Sequence, residues 1–509
     1  FTIPDIPLTA DHATMTVRVW SPDVGTSVLL KVEDAADVGI STGAFAITTV
    51  QGGWETLSFT FGAALPGAGT GEFNPANTYN KVTLFFDFGN VGTGKTYYFD
   101  DLTFEGAATG TGTVINDGFG HLESIANVEM VQGSSFADTI RLADGGAFVI
   151  GRAGSDKITG GNGNDNFLTG SGNDTQDGGA GVDTADYLTD NLDGAGLPTQ
   201  GVVVNLATGV ATDNWGATDT LARIENVSGS VLSDRITGNA AANSLIGLDG
   251  NDTLDGGTGN DSMTGGNGND SYFVDAAGDK TIEATSGGGI DTVTSGITWT
   301  LATEIDKLVL GGTTAINGTG NTLANTITGN AGNNSLNGSS GNDTLSGGDG
   351  NDTLSGGSGN DSLAGGAGVD RFLLDSLTGS DTIADFTTGS DKIFISQSGI
   401  SVGNGDTTIS GAVTVAGPGG FNSAAELVVV SANIVGSITA VSAASKIGSA
   451  TSAYTVGKDV LFAVDNGASS ALYLFTSADA NALVSSTELT LLATLSTTPG
   501  TAVADFLFG

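Results

Sequence analysis

A nine-residue period constrains this chain more than any other feature, because an acidic and an apolar position hold fixed phase through thirteen repeats. The first run reads GRAGSDKIT, GGNGNDNFL, TGSGNDTQD, GGAGVDTAD and sets Asp156, Asp165, Asp174 and Asp183 nine apart. The second, GNAAANSLI, GLDGNDTLD, GGTGNDSMT, GGNGNDSYF, carries Asn243, Asp252, Asp261 and Asp270. The third, GNAGNNSLN, GSSGNDTLS, GGDGNDTLS, GGSGNDSLA, GGAGVDRFL, carries Asn334, Asp343, Asp352, Asp361 and Asp370. Glycines permit the positive φ of tight turns, the sixth residue offers a carboxylate, and the eighth places an apolar side chain on a short strand. The eighth-position residues, from Ile158 and Phe167 through Leu254 and Tyr272 to Leu363 and Phe372, predict an inner ladder. A flexible linker has no reason to keep that phase.

A short strand after each turn makes nine residues half a coil, so turns on one edge recur every eighteen. Asp156 then lies over Asp174, Asp165 over Asp183, Asp252 over Asp270, Asp343 over Asp361 and Asp352 over Asp370. Stacked carboxylates repel unless a cation sits between them. With turn carbonyls added they offer the six to eight oxygens that Ca²⁺ takes, whereas Mg²⁺ demands a stricter octahedron and keeps its waters. The expectation is multiple calcium ions held in the stacked turns.

The totals agree. Asp and Glu number 56 against 15 Lys and Arg, a formal charge of -41, which argues against nucleic acid as a partner and for neutralising cations. Gly is 82 residues and Pro only 8, which excludes collagen, and the absence of Cys removes disulfides and thiolate metal sites. At 509 residues the chain exceeds one ordinary core, so compact end domains are expected to flank the repeats. No basic segment followed by an apolar one marks a signal at Phe1, so the chain reads as processed or as a fragment. The uncharged run 427–445 is interrupted by Ser431, Asn433, Ser437, Thr439 and Ser442, and no membrane span is expected.

The repeats closely resemble the RTX calcium-binding family, whose GGxGxDxUx consensus is matched by GGNGNDNFL, GGTGNDSMT, GGDGNDTLS and GGSGNDSLA. The resemblance implies a parallel β-roll with Ca²⁺ in its turns, and type I secretion machinery reading an uncleaved C-terminal signal. Asn243 and Asn334 depart from the sixth-position Asp, Gln176 from the apolar eighth residue, and Val182 and Val369 from the usual Asn. Weak or vacant sites are expected at the Asn positions, as at solenoid caps. Connectors such as IENVSGSVLSDRITGN (224–239) echo IANVEMVQGSSFADTIRL (125–142), and one continuous solenoid is the simplest packing.

Residues 1–106 hold five of the eight Pro and alternating stretches such as TVRVW (16–20), TLSFTF (56–61) and VTLFFDF (82–88), which predict a β-sandwich. RVWSPDVGTSVLLKVEDA (18–35), GGWETLSFTF (52–61) and YYFDDLTF (97–104) resemble carbohydrate-binding jelly-roll modules, entered mid-pattern as if truncated. An unpaired edge there would accept or donate a strand between subunits. Trp20 and Trp54 are either core residues or platforms for sugar rings, and Asp100 with Asp101 either holds a structural Ca²⁺ or solvates a strand end. His12 and His121 lie apart from any nucleophile, and Glu33 with Glu55 or Glu72 reads as solvent-facing rather than as a glycosidase pair, so no enzyme is expected.

At the other end, DTIADFTTGSDKIFIS (381–396) resembles the exit of an RTX array, where Asp381, Asp385 and Asp391 form either a last calcium site or an acidic loop. Residues 459–495 resemble the C-terminal domains of type I substrates, and VADFLF (503–508) fits an apolar export tail; short helices are expected at 440–446 and 477–484. The expected fold is all-β: an N-terminal sandwich (1–106), a connector (107–145), three RTX blocks (146–187, 238–275 and 329–395) separated by connectors (188–237 and 276–328), and a β-rich secretion or assembly domain (396–509). The function this implies is a secreted, extracellular or cell-surface structural protein that self-associates into a layer, fibre or matrix. The alternative is the polysaccharide-binding and export portion of a secreted hydrolase.

Overall fold

A computed structural model describes residues 14–21, 27–33, 41–47, 49, 53–60, 81–86, 98–104, 112–115, 122–125, 130–133, 136–142, 144–188, 197–284, 288–402, 411–496 and 500–508. Among them the chain is nearly all β, with one α-helix, Ala440–Ile447. It forms two compact units, Phe1–Gly250 and Asn251–Gly509.

The first unit opens with two antiparallel three-stranded sheets. In one, Thr14–Ser21 lies between Gly53–Thr60 and Tyr98–Phe104; in the other, Ser27–Glu33 lies between Ser41–Ile47 and Lys81–Phe86. Val28, Leu30, Leu57 and Phe59 are buried, in keeping with their alternation along the strands. His12, His121 and Glu72 lie outside the described residues.

Coils follow. Along one strip the parallel register joins Val131, Val149, Phe167, Ala185, Val227 and Leu245; along the other it joins Ile140, Ile158, Gln176 and Leu221. The second unit repeats the arrangement, Leu254, Tyr272, Val293, Leu308, Ile327, Leu345, Leu363 and Ile383 forming one strip and Leu336, Leu354, Phe372 and Ile393 another. All thirteen eighth-position side chains are at most 1% exposed. Burying each large aliphatic or aromatic one contributes about 1.5–3 kcal/mol. Gln176 is tolerated because its amide donates to the Thr169 hydroxyl at 2.8 Å.

The turns need glycine for space as well as for φ. Gly359 has φ 143°, and a Cβ there would lie 1.6 Å from the carbonyl oxygen of Gly341, one coil back. Gly359→Ala is therefore expected to lower stability by about 2–4 kcal/mol, read from the denaturation midpoint in saturating calcium.

The C-terminal part extends the β architecture. Leu489–Leu495 pairs in parallel with Asp381–Ile383, and Val413–Val415, Leu427–Val430, Asp459–Asp465 and Ser470–Thr476 complete a sheet around Phe421, Phe462 and Phe475. The helix expected at 440–446 forms, capped by the Thr439 hydroxyl. The one expected at 477–484 does not. Glu488 takes the Ala478 N–H and Asn481 takes the Leu483 N–H, so side chains outcompete the helical bonds, and only a 3₁₀ turn, Ser486–Glu488, follows. Phe506–Phe508 lies parallel to Lys392–Ile395 with Phe506 buried, and the buried Asp505 accepts the Gly389 N–H at 2.9 Å. No helix among the described residues is long and apolar enough to cross a membrane.

Candidate metal centres in the coil turns

Each sixth-position Asp precedes a core residue by two, so strand alternation turns both toward the interior. All eleven of these Asp residues are at most 2% exposed. One carboxylate oxygen is anchored to the previous coil: the Asp156 N–H donates to Asp174 Oδ1 at 2.7 Å, Asp165 to Asp183 at 2.7 Å, Asp252 to Asp270 at 2.7 Å, Asp343 to Asp361 at 2.8 Å, and Asp352 to Asp370 at 2.9 Å. These are the pairs that the eighteen-residue spacing selects. The other oxygen of Asp183, Asp270, Asp343 and Asp352 is buried and makes no hydrogen bond.

Such oxygens demand a partner, because an ionised carboxylate taken from water without one costs several kcal/mol. The geometry around them is oxygen-rich. A Cβ on Gly347 would lie 2.3 Å from Asp352 Oδ2 and 2.4 Å from the Gly365 carbonyl; on Gly338 it would lie 2.3 Å from Asp343 Oδ2 and 2.6 Å from the Gly356 carbonyl. Carboxylate and carbonyl thus converge over a glycine that leaves room. Hard oxygens in a flexible turn fit Ca²⁺, with the Asp Oδ2 atoms and Gly carbonyls as its holders.

Protonation registers the same frustration. Burial pushes Asp174 up to about 8 and the Asp219 charge adds to it; burial, with Asp361 beside it, lifts Asp343 to about 7; burial, with Asp370 beside it, lifts Asp352 to about 6. Without a cation, the fold holds these groups partly as acids near neutral pH.

The model of the RTX calcium-binding nonapeptide repeat, four copies to a unit, matches residues 143–176, 150–185, 229–276, 319–354, 337–372 and 346–383. Residues 143–185, 229–276 and 319–383 are thus similar to RTX repeats. RTX nonapeptides bind calcium, which agrees with the converging oxygens. Among curated proteins nothing matches the chain.

The carboxylate ladder runs beyond the nonapeptides. The Asp174 N–H donates to Asp219 Oδ1, Asp183 to Glu225 Oε2, Asp270 to Asp291 Oδ1 and Asp291 to Asp306 Oδ2, across steps of 45, 42, 21 and 15 residues. Periodicity hides these positions. The usable signal is local: Asp219-Thr-Leu221, Glu225-Asn-Val227, Asp291-Thr-Val293 and Asp306-Lys-Leu308 all repeat the acid-x-apolar triplet of the RTX unit.

The Asn substitutions are self-sufficient. Asn334 sits at a sixth position, accepts the Asn330 N–H, and uses its amide to donate to the Ile316 carbonyl at 2.6 Å, so the side chain supplies its own positive partner. Asn334→Asp is expected to add one equivalent of bound calcium and to weaken the calcium-free protein by about 1–3 kcal/mol, checked by calorimetric titration and denaturation. Val182 and Val369, in the last repeats of their blocks, still donate their N–H to the side chains of Asn164 and Asn351 at 3.0 and 2.8 Å, a bond that needs no polar side chain on the donor.

At the exit, Asp381 continues the ladder, accepting the Asp361 N–H at 3.2 Å, and burial with the adjacent Asp361 lifts it to about 7. Asp385 instead accepts from Gly365 and Gly366, and Asp391 from Asp370 and Thr387, so both spend their two oxygens on backbone N–H groups.

Proposed function

We propose that this chain is an extracellular calcium-binding RTX structural protein, exported unfolded by a type I system, folded by Ca²⁺ outside the cell, and self-associating into a surface layer, fibre or matrix. The observation that carries this reading is the ladder of buried carboxylate oxygens, which concentrates negative charge where only a cation neutralises it. The tail supports export before folding. Phe506 is buried in a strand of the coil, so machinery that reads this segment needs the chain unfolded. The reading assigns no reaction to the chain. Negative-stain microscopy in millimolar calcium is expected to reveal ordered assemblies that dissolve in chelator; monodisperse particles in both conditions would refute the structural role.

A second reading, a polysaccharide-binding module, draws on one backbone feature. The register sets Trp20 opposite Trp54 on one side and Tyr98 on the other, an aromatic row across three strands. Glycan-array binding lost in Trp20→Ala and Trp54→Ala, from a protein that stays monomeric in calcium, would favour it over the first.

A further inference from the structure

Where the second RTX block ends, the coil departs from its period and gathers three acids. One carboxylate oxygen from each of Asp270, Glu283 and Asp291 lies within 4.8 Å of the others. Asp270 belongs to the last nonapeptide of its block, Glu283 follows the strand Lys280–Ile282, and Asp291 precedes the strand Thr292–Ser295. Asp270 is 1% exposed and Asp291 0%, and in both Oδ2 is buried without a hydrogen-bond partner. Their Oδ1 atoms are fixed by the Asp252 N–H at 2.7 Å and the Asp270 N–H at 2.8 Å. Glu283 is aimed by a different device: its Oε1 accepts from the hydroxyl of Tyr272, whose oxygen in turn accepts the Gly265 N–H at 2.7 Å. Tyr272 is fully buried, so the aim is rigid.

We propose that Asp270, Glu283 and Asp291 form a three-carboxylate calcium site that fills before the nonapeptide turns, with Tyr272 as the positioning residue for Glu283. Two oxygens on one Ca²⁺ stand at most about 4.6–5.2 Å apart, twice the Ca–O distance, and the cluster fits within that reach. The charge argument sets the order of filling. An ordinary turn joins two successive carboxylates, whereas this cluster brings three from three segments, and affinity for Ca²⁺ rises with ligand charge and site rigidity. A filled site would also tie the connector after Ala276 to the coil beneath it, giving the repeats on either side a fixed starting point.

The inference rests on the reading that stacked carboxylates bind calcium, and the test separates the two. Calorimetric calcium titration of the full chain is expected to resolve a first, tightest equivalent, and Glu283→Gln to weaken that equivalent about tenfold or more while later equivalents and calcium-dependent folding persist. Asp361→Asn is expected to remove a later equivalent and leave the first intact. Terbium supplies a local readout, since Tyr272 lies one hydrogen bond from a ligand: tyrosine-excited Tb³⁺ emission at one equivalent is expected to fall in Tyr272→Phe, which keeps all three carboxylates. A Glu283→Gln isotherm superimposing on that of the unmodified chain overturns the proposal while calcium-dependent folding stands. Loss of calcium binding in every form overturns the wider reading instead. Should Glu283→Gln not fold in saturating calcium, the terbium result with Tyr272→Phe decides, and unchanged emission overturns the site.

Discussion

Removing calcium from the folded protein is expected to unfold residues 146–375 cooperatively, seen as loss of β ellipticity on adding EGTA. The magnitude follows from linkage. Extracellular calcium modules bind with Kd of roughly 10⁻⁴ to 10⁻³ M, so millimolar Ca²⁺ stabilises each site by about 1 kcal/mol and submicromolar Ca²⁺ by almost nothing. Five stacked pairs of sixth-position Asp residues each offer such a site. Their sum, about 5 kcal/mol, is comparable with the whole stability of a typical domain, about 5–15 kcal/mol, so withdrawal of the ion removes much of the margin. Cooperativity follows from the Asp-to-backbone bonds between coils, because each coil that melts frees its neighbour's anchored oxygen. Residues 411–496 should respond less, since Phe421, Phe462 and Phe475 form an apolar core that uses no ladder carboxylate. Unchanged ellipticity in chelator would defeat the calcium-switch reading.

Much of this was legible in the sequence because two chemistries kept one phase. Asp352 immediately precedes the strand Thr353–Ser355 that carries Leu354, so a single register fixes both the core and the carboxylate ladder. Eighteen-residue stacking followed from counting. The connector acids did not yield to counting, because insertions change the step to 15, 21, 42 or 45 residues while the three-dimensional pitch stays constant. Glu283 carried no repeat signal at all; its place depends on Tyr272, an eighth-position residue that reads as core from its phase and turns out to use its hydroxyl. The helix expected at 477–484 failed for a local reason, as Asn481 and Glu488 satisfy backbone N–H groups in a non-helical path. A weak or vacant site is the expectation at Asn334, whose amide donates where the acids have only lone pairs.

Calcium-free protein is expected to regain structure on acidification, the reverse of the usual acid unfolding of salt-bridged proteins. The ladder carboxylates have folded-state values raised above the ordinary 3.8, Asp174 to about 8, Asp343 and Asp381 to about 7, Asp352 to about 6, with burial the first cause in each. A raised carboxylate means the folded state binds more protons than the unfolded one, so stability falls as pH rises. That contribution is complete below about pH 4 and is lost as pH climbs through 6 to 8, each unit of elevation being worth about 1.4 kcal/mol. Proton and calcium therefore substitute for one another. At pH 8 the calcium-free coils should be unfolded, at pH 5 substantially ordered, and calcium should add less stability at pH 5 because it must displace protons. Asp343→Asn combined with Asp352→Asn separates this from a general effect of the -41 charge: two fewer titrating groups should make the calcium-free protein more ordered at pH 8 and flatten its pH dependence. Equal disorder at pH 5 and pH 8 without calcium would show that the buried carboxylates are not what holds the metal-free coil apart.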